Sequence, residues 1–112
     1  MRKSAWILAC LTAGVLGGCR DTLCAEIADA YAQVDQKARP CVARAPLPAF
    51  TAANCERQAD ACDAKDRERL QAQLDCYARL EACVPDQRDA FLDAMARCDG
   101  AAPSNACEAA LF

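Results

Sequence analysis

Between residues 21 and 39 the apolar positions Leu23, Ile27, Tyr31 and Val34 recur at steps of 4, 4 and 3, with Asp29, Asp35 and Lys37 set between them. That is the period of a helix with one buried face. Pro40 predicts its end, because proline cannot continue the hydrogen-bond ladder and disfavours helix in the residue before it. From residue 40 to 50 the period is lost, and Pro46-Leu47-Pro48 predicts an extended connection that Leu47 and Phe50 pin to the core. Residues 51–84 then run without a Gly or a Pro, and Thr51 is placed to cap a helix there, although Asn54 is not the acid that a capping box takes.

Two readings of residues 51–84 stand open. One is a single helix of roughly 50 Å at 1.5 Å per residue. The other breaks at Asp63-Ala64-Lys65-Asp66, with Asp66 capping a new helix through Arg67, Glu68, Arg69 and Leu70. The apolar content is lopsided in either case. The second half has Leu70, Leu74, Tyr77, Leu80 and Val84 on one stripe, whereas the first offers Ala52, Cys55, Ala59 and Cys62. At about 25 cal/mol per Å² of buried apolar surface, Ala and Cys hold little, so the cysteines of that half are expected to staple it.

Pro85-Asp86 marks the next boundary, with Asp86 in the first turn of a helix through Phe91, Leu92, Met95 and Cys98 that stops at Asp99-Gly100. Ser104 is placed to cap a last helix over residues 105–111 carrying Cys107, and Phe112 reads as a core anchor. The expected fold is all-α, a small disulfide-stapled helical bundle of three to five helices.

The beginning of the chain follows different rules. Met1-Arg2-Lys3 is basic, and residues 5–16 form a nearly uncharged apolar run. A span of the bilayer needs roughly 20 residues, so this shorter run reads as the core of a secretory signal. It closes on Leu16-Gly17-Gly18-Cys19, an aliphatic residue, two small residues and a cysteine, which resembles the lipobox of bacterial lipoproteins. The resemblance implies cleavage after Gly18, a diacylglyceryl group on the Cys19 sulfur and acylation of the new amino group. Residues 1–18 are then signal peptide, and residues 19–112 a cysteine-rich helical domain lipid-anchored at Cys19. Stable anchoring takes at least two membrane signals, a condition that three acyl chains on one residue satisfy. Arg20 stands where enteric bacteria use Asp for inner-membrane retention, so the expected address is the outer membrane of the cell envelope.

Removing residues 1–18 lowers Lys plus Arg from 13 to 11 against 16 Asp plus Glu, which leaves a net charge of −5. Such a domain has no clustered cations for phosphates and is not expected to bind nucleic acid. Of the 10 cysteines, Cys10 leaves with the signal and Cys19 takes the lipid. Cys24, Cys41, Cys55, Cys62, Cys76, Cys83, Cys98 and Cys107 remain, an even set in a small exported domain and hence a disulfide framework.

Helix geometry restricts their pairing. Helical residues seven apart lie about 10.5 Å apart along the axis, whereas bridged Cα atoms lie within about 7 Å. Cys55 therefore does not bond Cys62, nor Cys76 Cys83, where both are helical. If residues 51–84 are one helix, its four cysteines pair with Cys24, Cys41, Cys98 and Cys107, and about a quarter of the 105 connectivities open to eight cysteines survive. Chain levels then favour Cys76–Cys98, Cys41–Cys55, Cys24–Cys62 and Cys83–Cys107. A break near residue 65 makes Cys55–Cys76 attractive instead.

Catalytic chemistry has few candidates. There is no His for general acid–base work, no C-x-x-C for thiol exchange and no glycine-rich phosphate loop. The carboxylate pairs Asp60/Asp63, Asp89/Asp93 and Glu56/Asp60 lie among Arg and Lys and read as a solvated face. The expectation is a non-enzymatic envelope lipoprotein without a cofactor, structural or binding a protein partner. The alternative is metal: cysteines lining helices loosely resemble the bacterial copper storage proteins, which implies Cu(I) held by soft thiolates. That family places cysteines four apart, a spacing this chain lacks.

Overall fold

The computed structural model describes the backbone of residues 18–112 and the side chains of residues 22–112; the expected signal, residues 1–18, but for the backbone of its last residue, and the Cys19 side chain fall outside them. Among the described residues there are five α-helices, three short 3-10 turns and no strand, so the all-α expectation holds. Helix α1 spans Gly18–Ala38 and turns Cys24, Ile27, Val34 and Ala38 into the core, with Leu23 and Tyr31 half-buried beside them. Beyond it, the Cys41 and Val42 amides donate to the Ala38 carbonyl and turn the chain away around Pro40.

The connection that follows is tied down as expected. Leu47 and Phe50 pack against the core, Ala45 is buried, and the Ala45 amide donates to Asp35 Oδ1 at 2.9 Å. That bond holds the Asp35 carboxyl below the usual range, with a smaller contribution from Arg39.

Residues 51–84 are not one helix. Helix α2 spans Ala52–Gln58 under the Thr51 cap, whose Oγ1 accepts from the Asn54 amide at 3.3 Å. A 3-10 turn, Ala59–Ala61, and an extended Cys62 follow, and helix α3 starts at Ala64 and ends at Ala78. The cap of α3 is Asp63, where Asp66 had been expected. Asp63 Oδ1 accepts from the Asp66 amide at 2.8 Å and Asp66 Oδ2 from the Asp63 amide at 3.1 Å, so Asp66 is the third helical residue of a reciprocal capping box.

Helix α3 also stops short of Val84, for a reason that lies in α1. Lys37 Nζ donates to the Tyr77 and Ala78 carbonyls at 3.4 and 3.1 Å, supplying cationic donors to the last turn of α3. The Cys83 amide donates to the Lys37 carbonyl at 2.8 Å, which draws the following extended segment back along the end of α1.

A 3-10 turn at Pro85–Gln87 replaces the expected first turn of the next helix, and helix α4 spans Arg88–Cys98 with Phe91, Met95 and Cys98 buried. It ends in a 3-10 turn, Asp99–Ala101, in which Gly100 does not take up the left-handed backbone of a glycine cap. Helix α5, Asn105–Leu111, is capped by Ser104, whose Oγ accepts from the Cys107 amide at 3.3 Å. It packs on α2 and the turn after it, and Asn54 Nδ2 donates to the Ala110 carbonyl at 3.0 Å across that contact. Helix α1 lies against α2 and α3, and α4 against α3.

Candidate functional site

Four bridges hold these elements: Cys24–Cys55, Cys41–Cys83, Cys62–Cys107 and Cys76–Cys98, with Cα separations of 5.8, 6.1, 4.7 and 5.5 Å. Cys76–Cys98 is the pair expected from chain levels. The expected Cys41–Cys55, Cys24–Cys62 and Cys83–Cys107 do not form, because they assumed one continuous rod. The break at residues 59–63 swings α2 so that Cys55 meets α1 at Cys24 and Cys62 meets α5 at Cys107. The alternative tied to a break, Cys55–Cys76, is not made either. Each cysteine between residues 51 and 84 nevertheless bonds one outside that stretch, as the one-helix argument required.

The Cys62–Cys107 bridge lies beside the Asp66 carboxylate, and one ligand atom of each of these three buried residues falls within 4.8 Å of the others. These are metal-site distances, but the two sulfurs are bonded to each other. Both Asp66 oxygens are also engaged, Oδ2 by the Asp63 amide and Oδ1 by the Ser104 amide at 2.9 Å. The Ser104 bond, above all, holds the Asp66 carboxyl below its ordinary range. One carboxylate thus joins the starts of α3 and α5 where the bridge joins their preceding and internal turns. Glu56, Asp60, Asp63, Asp89 and Asp93 are exposed residues.

A second arrangement was not read from the sequence. Tyr31 on α1 stands at the centre of an aromatic cluster, with ring centroids 5.8 Å from Phe50, 6.1 Å from Tyr77 and 5.8 Å from Phe112. Phe50 and Tyr77 meet it edge to face, and Phe112 lies nearly parallel at 20°. The rings of Tyr31, Tyr77 and Phe112 line an open cleft of about 600 Å³ that Met95, Asp99 and Glu108 complete. Among the described residues the two carboxylates are its only charged lining groups, and no described Lys or Arg reaches it. Burial pushes the Tyr77 phenol up to about 12, helped by Asp99, both through its charge and by accepting the phenol's hydrogen bond, and by the charge of Glu108. Burial raises Tyr31 further, with Tyr77, Asp99 and Glu108 adding to the shift.

Helical spacing marked Tyr31 and Tyr77 as stripe residues, and Phe50 and Phe112 as pins, but nothing placed the four together. Asp99 read only as part of a helix stop, and Glu108 was not singled out. Its position on α5, one turn before Phe112, was the available signal.

Fold and framework define a small all-α domain stapled by four disulfides. Comparison with protein-family models, with curated proteins and with solved structures gives no match.

Proposed function

We propose that this chain is a lipid-anchored protein of the bacterial cell envelope, held through Cys19 in the outer membrane, with a non-enzymatic role as a structural component or as the binder of an envelope protein. The observation that carries this reading is the cysteine inventory. All eight cysteines from Cys24 to Cys107 are in disulfides, as befits an oxidising compartment. The two remaining cysteines are Cys10, inside the expected signal, and Cys19, which closes the lipobox-like Leu16-Gly17-Gly18-Cys19 and takes the lipid in this reading.

No helix among the described residues is long and apolar enough to cross a membrane, so attachment in this reading rests on the lipid. Helix α1 includes position 19, and the first bridge follows at Cys24. In this reading the lipid on Cys19 lies five residues before the first bridge, which keeps the folded domain close to the bilayer. That suits a component working at the membrane surface.

The competing reading, a store for Cu(I) or another soft metal, draws on the grouping of Cys62, Asp66 and Cys107 and needs the bridges reduced. Intact mass before and after reduction and alkylation separates the two. A mature chain starting at Cys19 with added acyl mass and no alkylatable thiol before reduction supports the lipoprotein. Free thiols that take up Cu(I) in proportion support the store. An unlipidated N-terminus contradicts the anchor, and a Cys19→Ala variant that stays with the membrane fraction does the same.

A further inference from the structure

The aromatic and acidic cleft has a chemistry that the anchoring proposal does not use, and its lining residues fall between Tyr31 and Phe112. We propose that it is a binding site for a small organic cation, an alkylammonium or quaternary ammonium ion, held against the wall that Tyr31, Tyr77 and Phe112 contribute and beside the carboxylates of Asp99 and Glu108.

Three features of the cleft point to this class. Its size, about 600 Å³, is that of sites for small ligands. Its charge is of one sign, two carboxylates with no cation among the lining residues, so it attracts a positive guest and repels an anion. Three of its lining residues, Tyr31, Tyr77 and Phe112, are aromatic and stand beside Pro46 and Pro48, and ring faces carry the negative part of the quadrupole that attracts cations within about 6 Å. Met95 and Leu92 extend that wall with surface suited to the methyl or methylene groups of an ammonium ion. An inorganic cation would use the carboxylates and the Gln73 amide oxygen but would leave the rings idle. A neutral apolar guest would leave the carboxylates unused.

The test is calorimetric titration of the chain, with its four bridges closed, using choline, spermidine and 3,3-dimethylbutan-1-ol, the neutral isostere of choline. The expected result is saturable binding of at least one cation, with the neutral alcohol about tenfold weaker than choline if choline is the guest. Glu108→Gln and Asp99→Asn should each weaken the bound cation by about threefold or more, and Phe112→Ala should weaken it further. Asp93→Asn, an exposed carboxylate on α4 outside the cleft, should leave binding unchanged. The two conservative variants keep the test valid if Phe112→Ala perturbs folding. The proposal is overturned if neither cation saturates by on the order of 10 mM, or if the alcohol binds as well as choline. It is equally overturned if Asp93→Asn weakens binding as much as Glu108→Gln. A blocked lysine tripeptide that binds more tightly than either free cation would assign the cleft to a protein side chain instead of a small solute.

Discussion

Two halves of the molecule are held by different forces. Around α3 and α4 the core is made of large side chains, Leu70, Leu74, Tyr77, Phe91 and Met95, closed by Ile27 and Val34 of α1. Around α2, the turn after it and α5, the buried residues are Cys55, Ala59, Cys62, Cys107 and Leu111. Each half has two disulfides, Cys41–Cys83 and Cys76–Cys98 in the first and Cys24–Cys55 and Cys62–Cys107 in the second. The first adds buried area where the second adds the capping box at Asp63 and Asp66, the Ser104 cap and the bond from Asn54 to Ala110. The contrast teaches that a short helix poor in large apolar residues keeps its place when covalent and capping contacts replace hydrophobic burial. Helices of seven residues such as α2 and α5 are too short to be stable alone.

Substitutions in each half should therefore fail differently. Leu70 is 1% exposed, and Leu70→Ala should cost about 2–5 kcal/mol through a cavity in the packed half. Denaturant unfolding of the oxidised chain is expected to shift as a whole, and a shift under about 1 kcal/mol would show that this half also relies on its bridges. Replacing Cys62 and Cys107 together by Ala should cost about 2–4 kcal/mol. Here the loss should be local: hydrogen exchange should quicken over residues 52–63 and 105–111 while residues 70–78 keep their protection. Uniform loss of protection would erase the distinction between the halves.

A smaller effect should appear only in acid. The folded-state pKa of Asp66 lies below its unfolded value, so its contribution is complete above about pH 4 and is lost as pH falls through the folded pKa. In Asp66→Asn that part of the acid destabilisation should vanish, whereas the part due to Asp35, whose pKa is also lowered, should remain. Stability curves of both proteins between about pH 5 and pH 2 check this, and parallel curves would remove Asp66 from the account. The smallest effect belongs to Thr51→Ala, which removes one cap bond and should cost about 0.5–1 kcal/mol, read as faster exchange of the first α2 amides alone.

Much of this division was legible in the sequence. The stripe of α1, the caps at Thr51 and Ser104, the lopsided apolar content of residues 51–84 and the need to staple its first half all follow from local spacing and composition. The break was one of two open readings, and its expected place, residues 63–66, meets the observed one, residues 59–63, only at Asp63. Choosing Asp63 over Asp66 as its cap was beyond local reasoning, since Asp66 also receives the Ser104 amide from 38 residues away. The pairing failed for a related reason. Bridge partners depend on the angle between α2 and α3, and a turn of three residues sets that angle through tertiary contacts with α5. The aromatic cleft was hidden because Tyr31, Tyr77 and Phe112 come from three helix regions that meet only in the folded chain. Cys19 is different, since its meaning is carried by its immediate neighbours in sequence.

The bridge pattern is the claim on which the account of both halves rests, and a tryptic map of the unreduced protein tests it directly. Cleavage after Lys and Arg, except before Pro, leaves Cys98 and Cys107 together on residues 98–112 and every other bridged cysteine on its own peptide. The structure predicts residues 21–37 joined to 45–57, residues 38–44 joined to 80–88, and a three-peptide unit of 58–65, 70–79 and 98–112. Residues 38–44 joined to 45–57, 21–37 joined to 58–65, and 80–88 in the three-peptide unit would instead restore the pairing of a continuous rod and contradict the break that divides the molecule.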